Sequence, residues 1–391
     1  MQSLRVLAGE VERSGSLVRA PLPDGTASGP VALKDETSGR IVPAQADSGS
    51  LAFVLADPLP AGESRTFSLT DEQPPDSGAA TFVAKLDRVE LLVGNEPFAT
   101  YVIAGGRRPY FWPVLGPSGA SVVRGQGSAD HPHHTGLAVS YGGHGEGGSV
   151  NIWSDWDEPP YGPGGRMLHT GFRRLVSGPV YGELVQDLTY VDAHGDPFAV
   201  EVRTIRWWWA DRNRRFLDLD CRVLEVTDAG TKPFIMMVRT PECFGIPGTG
   251  RVTNSADAAV PEMVYSPENY YHAAWTDASG PTGGPPPPPP AGPPEELPDL
   301  QQSSAQYREV GTGPWNGIAL LDHPGNGGYP NIIGKYAMVQ QVTQAHYPPA
   351  DAPQGPFSFR SRLYIHDGDA DAAGVRGVAA DYQAACEVEI G

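Results

Sequence analysis

Long apolar runs are missing from this 391-residue chain. No window approaches the roughly 18 to 20 apolar residues that a membrane-crossing helix needs, so a membrane is not an expected partner. Cysteine is scarce. Cys221, Cys243 and Cys386 are three, widely spaced and without a C-x-x-C pair, which argues against a zinc ribbon and a disulfide framework. Cys221 falls in the apolar phase of a strand-like run and is expected to be a buried, inert thiol. Basic residues are also short, 28 Lys and Arg against 46 Asp and Glu for a net charge of −18, with no basic run. Nucleic acid and anionic membranes are gripped through basic patches and so lose their prior. A neutral or cationic small ligand fits this charge more easily. No G-x-G-x-x-G opens a helix, and no P-loop, G-x-S-x-G elbow or H-E-x-x-H occurs, which takes most of the prior from those nucleotide-binding and hydrolase classes. MQSLRVLAGEVERSG at the start lacks the apolar core of a signal peptide, so the expected location is cytoplasmic.

Turn formers are abundant instead. Gly (48) and Pro (40) make up more than a fifth of the chain, while charged residues are 19%. That balance, with 40% hydrophobic content, predicts an all-β, turn-rich protein of two domains. Residues 1–75 carry short strands at about ten-residue spacing and predict a small Ig-like N-terminal β-sandwich. DEQPPDSGAA (71–80) reads as the linker. Residues 81–391 predict a large antiparallel β-sandwich domain. RVELLVGNEPFATYVI reads as a hairpin turning at Asn-Glu-Pro, and LVQDLTYVDAHGDPFAVEVRTIRWWWA as one with His194 exposed at its tip. In FLDLDCRVLEV, Leu217, Leu219, Cys221 and Val223 alternate with polar residues, the pattern of a strand with one dry face. The proline-rich stretch at 280–298 can be neither helix nor central strand, so it is expected as an exposed polyproline-II loop within the large domain. DADAAGVRGVAADYQAA is the one convincing helix, followed by the strand CEVEI.

Chemistry concentrates at Asp130-His131-Pro132-His133-His134, three of the chain's ten histidines within four positions. In an extended segment His131 and His133 share a side with Cα atoms roughly 6 to 7 Å apart. Two imidazoles at that distance can hold one substrate or one divalent metal ion. The second signal is FSFRSRLYIHDG, which aligns Arg360, Arg362, Tyr364 and His366 on one strand face. Paired guanidiniums suit carboxylates or vicinal hydroxyls, and imidazole suits proton transfer near neutrality. Against this stands an ordinary solvated sheet face laced with ion pairs. Asp322-His323-Pro324 repeats the Asp-His-Pro order, either as turn chemistry or as a second histidine facing the first. His346 is expected in a loop of the kind that closes over sites. Glu201, Glu183, Asp130, Asp155 and Asp157 are all candidate carboxylate partners, and the sequence does not choose among them.

Five segments taken in order resemble a bacterial family of unknown function that goes under the name PmoA-like, methane oxygenase. They are RRPYFWPVLGPSG (107–119), DHPHHTGLAVSYG (130–142) with Val150-Asn-Ile-Trp153 after it, HAAWTDASG (272–280), GIALLDHPGN (317–326) and FSFRSRLYIHDGDAD (357–371). The resemblance implies a β-sandwich body, often behind a small β-domain, and an association with sugar catabolism. Thr135 stands where members commonly carry arginine.

These signals combine into an expected carbohydrate-active enzyme, a hydrolase, lyase or epimerase, on a supersandwich similar to galactose mutarotase. His131 and His133 would hold substrate hydroxyls or a divalent ion, His134 is a further catalytic candidate, and His366 or Glu201 would move the proton. Arg360, Arg362, Tyr364, His323 and Asp130 would bind polar substituents, while Trp112, Trp153 and Trp275 stack on sugar C–H faces. His131, His133 and His366 are expected to line one pocket. Two other readings stand beside this one: a metal-dependent oxygenase or hydrolase with His131 and His133 as ligands, and a non-catalytic carbohydrate-binding module. A homo-oligomer is left open.

Overall fold

Alternating apolar and polar residues do produce strands, and nearly the whole chain is built from them. The computed structural model describes residues 3–74, 78–125, 134–143, 148–155, 163–227, 232–244, 250–257, 270–282, 313–335, 341–349, 355–384 and 386–391. In chain order the strands are β1 (Ser3–Leu7), β2 (Ser16–Pro21), β3 (Gly29–Asp35), β4 (Ile41–Asp47), β5 (Ser50–Leu55), β6 (Ser64–Thr70), β7 (Ala80–Ala84) and β8 (Arg88–Val93). Then come β9 (Glu96–Val102), β10 (Tyr110–Val114), β11 (Leu137–Tyr141), β12 (Arg166–Val176), β13 (Gly182–Val191), β14 (Pro197–Asp211), β15 (Arg214–Val226) and β16 (Phe234–Arg239). The last are β17 (Arg251–Asn254), β18 (Tyr270–Ala273), β19 (Trp275–Pro281), β20 (Trp315–Asp322), β21 (Ile332–Lys335), β22 (Gln341–His346), β23 (Phe357–Asp367) and, after helix α1 (Val375–Gln383), β24 (Glu387–Ile390).

A nine-stranded sheet, β18-β21-β22-β16-β11-β10-β9-β8-β7, faces an eight-stranded sheet, β12-β13-β14-β15-β23-β20-β19-β17. Their inner faces close on one core, to which Val139, Met236 and Val238 contribute from the first sheet and Leu217, Leu219, Cys221, Val223, Leu363 and Ile365 from the second. This is a large antiparallel β-sandwich. The strand FLDLDCRVLEV puts its predicted apolar face into that core. The proline-rich stretch from 283 onward lies outside the described residues, between β19 and β20, which pair directly.

The N-terminal strands form a seven-stranded sheet, β2-β5-β4-β3-β6-β1-β24. Val18 of β2 and Leu4 of β1 stand far apart in that order yet share one core, so the sheet curls on itself. Its seventh strand comes from the far end of the chain, where Leu4 to Leu7 pair with Ile390 to Glu387. The N-terminal unit packs Leu17, Ala52 and Val54 against Tyr181, Trp208, Tyr364 and α1, covering part of the outer face of the eight-stranded sheet. Arg13 fastens the join, bonding the Asp381 carboxylate at 2.9 Å and the carbonyl of Ala384 at 2.7 Å.

Two local expectations shift. The helix is shorter than DADAAGVRGVAADYQAA suggests, because Gly374 adopts φ 63° and the residues before it form turns. The first hairpin turns at Gly94 (φ 58°) and Asn95 (φ 65°), not at Asn-Glu-Pro. Positive φ at both positions matches the twist of the flanking strands. An added Cβ at Gly94 would lie 2.5 Å from Trp209 Cη2. Gly94→Ala should therefore lower unfolding stability by about 2 kcal/mol through backbone strain and overpacking. A change within about 0.5 kcal/mol in urea melts would show that the turn relaxes freely.

Candidate active site

The polar face of β23 was expected to line a cleft, and the structure assigns it other work. It is the outer face of the eight-stranded sheet, turned away from the nine-stranded sheet. Arg362 grips Asp218 across the strand pair with two bonds of 2.7 and 2.9 Å. Its guanidinium lies 4.7 Å from the Trp208 ring and 4.4 Å from the Tyr382 ring, sandwiched between sheet and helix. The Tyr364 hydroxyl donates to the Ala373 carbonyl at 3.0 Å, and burial pushes the phenol up. Trp275 belongs to the same covered patch. Arg360 is exposed, opposite Asp220. These residues hold the N-terminal unit and α1 onto the sandwich.

His366 is sealed under that cover. Its Nε2 lies 2.8 Å from Asp277 Oδ1, with neither side chain exposed. The ring can cross β20 because Gly317 has no side chain, and a Cβ there would fall 2.2 Å from His366 Cε1. His323 serves turn chemistry, its Nδ1 accepting the Gly325 N–H at 2.9 Å. Burial and the charges of Arg360 and Arg362 lower its pKa. Asp322 anchors the same loop, accepting bonds from Asn326 at 2.7 Å and the Asn331 N–H at 2.6 Å. His194 is exposed at its hairpin tip.

Glu201 points into the core between the sheets. Arg203 binds its two oxygens at 2.7 and 2.9 Å, and the Tyr190 hydroxyl donates to it. Glu183 is engaged by Arg174 and Arg206. His346 ends β22 rather than sitting in a loop, and its ring stacks on Phe359 at 4.4 Å.

The described part of the histidine cluster lies on the opposite side of the molecule. Asp130, His131 and His133 lie outside the described residues, and with them the metal expectation. Among the described residues no group of three His, Cys, Asp or Glu side chains could hold a metal ion. His134 is described, and it is wholly buried. It meets Trp153 edge-on with centroids 4.8 Å apart, and Trp153 packs on Ile235, Met237 and Ala345. Since Phe234, Met236 and Val238 face the core, alternation puts Ile235 and Met237 on the outer face of the nine-stranded sheet. His134 and His366 therefore occupy opposite outer faces, separated by both sheets and a core about 10 Å thick.

Glycine fixes this corner. Gly136 (φ 57°) donates to the Arg124 carbonyl at 2.9 Å, and any Cβ there would fall 2.1 Å from the Phe111 carbonyl oxygen. Beside it, the Thr135 hydroxyl donates to Asp155 Oδ2 at 2.6 Å. Arg108 Nη2 lies 2.7 Å from Asp155 Oδ1, while Arg108 Nη1 donates to the carbonyls of Ile152 and Trp153 at 3.0 and 3.1 Å. Burial raises the Asp155 pKa above the ordinary carboxylate value, although Arg108, Thr135, Arg107 and Arg239 all pull it down. Tyr110 stands on the same face, its phenol also raised by burial and by Asp155. Trp112, 36% exposed, lies against Gly125 and Gly136. Of the five carboxylates the sequence left open, Asp130 and Asp157 lie outside the described residues, and of the other three Asp155 is the one bonded next to a cluster histidine, through Thr135. Arg108, Tyr110 and Arg239 were missed. The RRPYFW run carries the first two beside Trp112, whereas Arg239 ends the apolar strand FIMMVR, where nothing marked it.

Residues 88–380 match the model of a family described as a family of unknown function, DUF6807. The chain belongs to that family. No curated protein matches it. Among solved structures, the DUF6807 chain is similar to a protein in the glycosyl hydrolase family 38 from Enterococcus faecalis, with 9% identity and a TM-score of 0.43. The alignment covers 100% of this chain and 47% of that one, so the chain spans about half that protein's length.

Proposed function

We propose that this DUF6807 member is a carbohydrate-active enzyme, a hydrolase, lyase or epimerase, working on the outer face of the nine-stranded sheet. One observation carries the reading: a carboxyl group, Asp155, is held by Arg108 and by Thr135, the residue that follows His134, with its pKa raised by burial. A carboxyl tuned upward keeps its proton closer to neutral pH and can deliver it to a leaving oxygen. Arg108 and Thr135 hold it in one orientation. Trp112, exposed next to the His134–Gly136 corner, offers a flat apolar surface for a sugar's C–H face. His131 and His133 directly precede the corner in sequence and would supply hydroxyl contacts or a divalent ion. His366 and Glu201 drop out of the acid–base assignment, which passes to Asp155.

Turnover of a panel of glycosides and free sugars should fall about 100- to 10,000-fold in Asp155→Asn, the ordinary size of a general-acid contribution. With Asp155 as the acid, the wild-type rate should decline as pH rises through its raised pKa, and Asp155→Asn should lack that limb. Undiminished turnover in the variant would remove Asp155 from the chemistry. Saturable sugar binding without turnover anywhere in the panel would make the protein a carbohydrate-binding module.

A further inference from the structure

The N-terminal unit is not complete until the rest of the chain has folded. Its first strand, β1, lies between β6 and β24, so one of its two ladders is made with Glu387–Ile390. Cys386 and Val388 pack on the same core as Leu4, Val6 and Phe67. The whole sandwich is threaded between the strands of this one sheet. A unit of about 70 residues buries little of its own surface and is marginal alone.

A buried ion pair locks the return of the chain. Arg13 and Asp381 are 1% and 9% exposed. Arg13 Nε donates to the Ala8 carbonyl at 2.8 Å, just past β1, while its Nη1 reaches Asp381 and Ala384 at the end of α1. The Ser16 hydroxyl, at the start of β2, donates to the other Asp381 oxygen at 2.8 Å. Elsewhere the unit is tied directly to the sandwich. Gln45 Oε1 accepts the backbone N–H groups of Val180 and Tyr181 at 3.3 and 3.2 Å, and the Tyr181 hydroxyl donates to Asp47 at 3.0 Å. Arg174 bonds the Ser48 hydroxyl at 2.8 Å, and Arg214 bonds that of Ser14 at 2.8 Å. Between these ties lies the apolar patch of Leu17, Ala52 and Val54 on Trp208, Phe216, Tyr364 and α1.

Two domains joined by a linker ordinarily shift against each other unless a large apolar interface holds them. We propose that the N-terminal unit is a fixed wall of the sandwich, clasped by β24 and the Arg13–Asp381 pair, and that unit, helix and sandwich unfold as one body. Moving the unit away would break the β1–β24 ladder and strand a guanidinium that cannot lose its charge. The sheet face carrying Arg362, Tyr364 and His366 therefore stays closed in the folded protein and meets no substrate. This inference is independent of the sugar reading of the opposite face.

Scanning calorimetry of the full chain should show one transition, with equal calorimetric and van't Hoff enthalpies. Asp381→Asn keeps the shape and removes the charge, so it should lower that single transition by roughly 5 °C. A specific protease site placed in DEQPPDSGAA (71–80) provides a test that needs no weakened clasp. After cutting, both pieces should elute together from a sizing column in native buffer and separate only in denaturant. Two resolved transitions in the wild type, or pieces that part in native buffer, would overturn the proposal. A folded Asp381→Asn protein that melts within 1 °C of wild type, a margin of roughly one fifth of the expected shift, would remove the ion pair from the clasp and overturn it as stated.

Discussion

Glu201→Gln should cost about 3 to 5 kcal/mol of unfolding stability while leaving activity per folded molecule unchanged. Glu201 and Arg203 are each at most 1% exposed on their side chains, and the two bonds between them neutralise both charges inside the sandwich. The Tyr190 hydroxyl donates to the same carboxylate, and Arg203 Nη1 reaches the Tyr101 hydroxyl at 3.4 Å. Tyr101 in turn donates to Gln186 at 2.6 Å. Burial and the nearby Glu201 charge push the Tyr190 phenol and the Cys221 thiol well above their ordinary values, so both stay protonated. Removing the carboxylate charge strands a guanidinium that cannot deprotonate. The double replacement Glu201→Leu with Arg203→Met should recover much of the loss, because an apolar pair of similar volume avoids the desolvation of both ions. Intact stability with lost turnover would return Glu201 to the catalytic role that the sequence first suggested.

The sandwich was legible because its strands alternate. FLDLDCRVLEV names its own dry face, and LVQDLTYV with FAVEVRTIRWWW declares a hairpin. Alternation separates two faces of a strand but cannot say what covers the second. On β23 the polar face looked like a site because Arg362, Tyr364 and His366 are ionisable. The cover that silences them comes from Leu17, Ala52, Val54 and α1, elements hundreds of residues away or beyond the strand itself. Glu201 misled for the complementary reason, since a buried ion pair at i and i+2 reads as a wet face until its depth is known. The histidine cluster was nominated as a place to look, and of its three rings only His134 lies among the described residues. Its partners were not readable, because Thr135 and Asp155 are joined by a side-chain bond across 20 residues and Arg108 arrives from another strand connection. The last strand was predicted, but not that it would pair with the first.

The acid limb of the stability curve should flatten when His346 is replaced by Phe. Its ring stacks nearly parallel on Phe359, 4.4 Å away at 17°. Nε2 is buried with no hydrogen-bond partner among the described residues. Burial alone pulls the His346 pKa down to about 3, against about 6.5 in the unfolded chain. The folded protein therefore keeps this ring neutral, and its contribution is fully present above pH 6.5. As pH falls below 6.5 the unfolded chain takes up a proton that the folded chain refuses, and stability drops by about 1.4 kcal/mol per unit until about pH 3. Between pH 7 and pH 4 the wild type should lose about 3 kcal/mol more than His346→Phe, measured as the difference between paired urea melts. Carboxylates titrating over the same range contribute equally to both proteins and cancel in that difference. A gap below about 1 kcal/mol would mean that the imidazolium is accommodated in the folded state, with water or a carbonyl reaching Nε2.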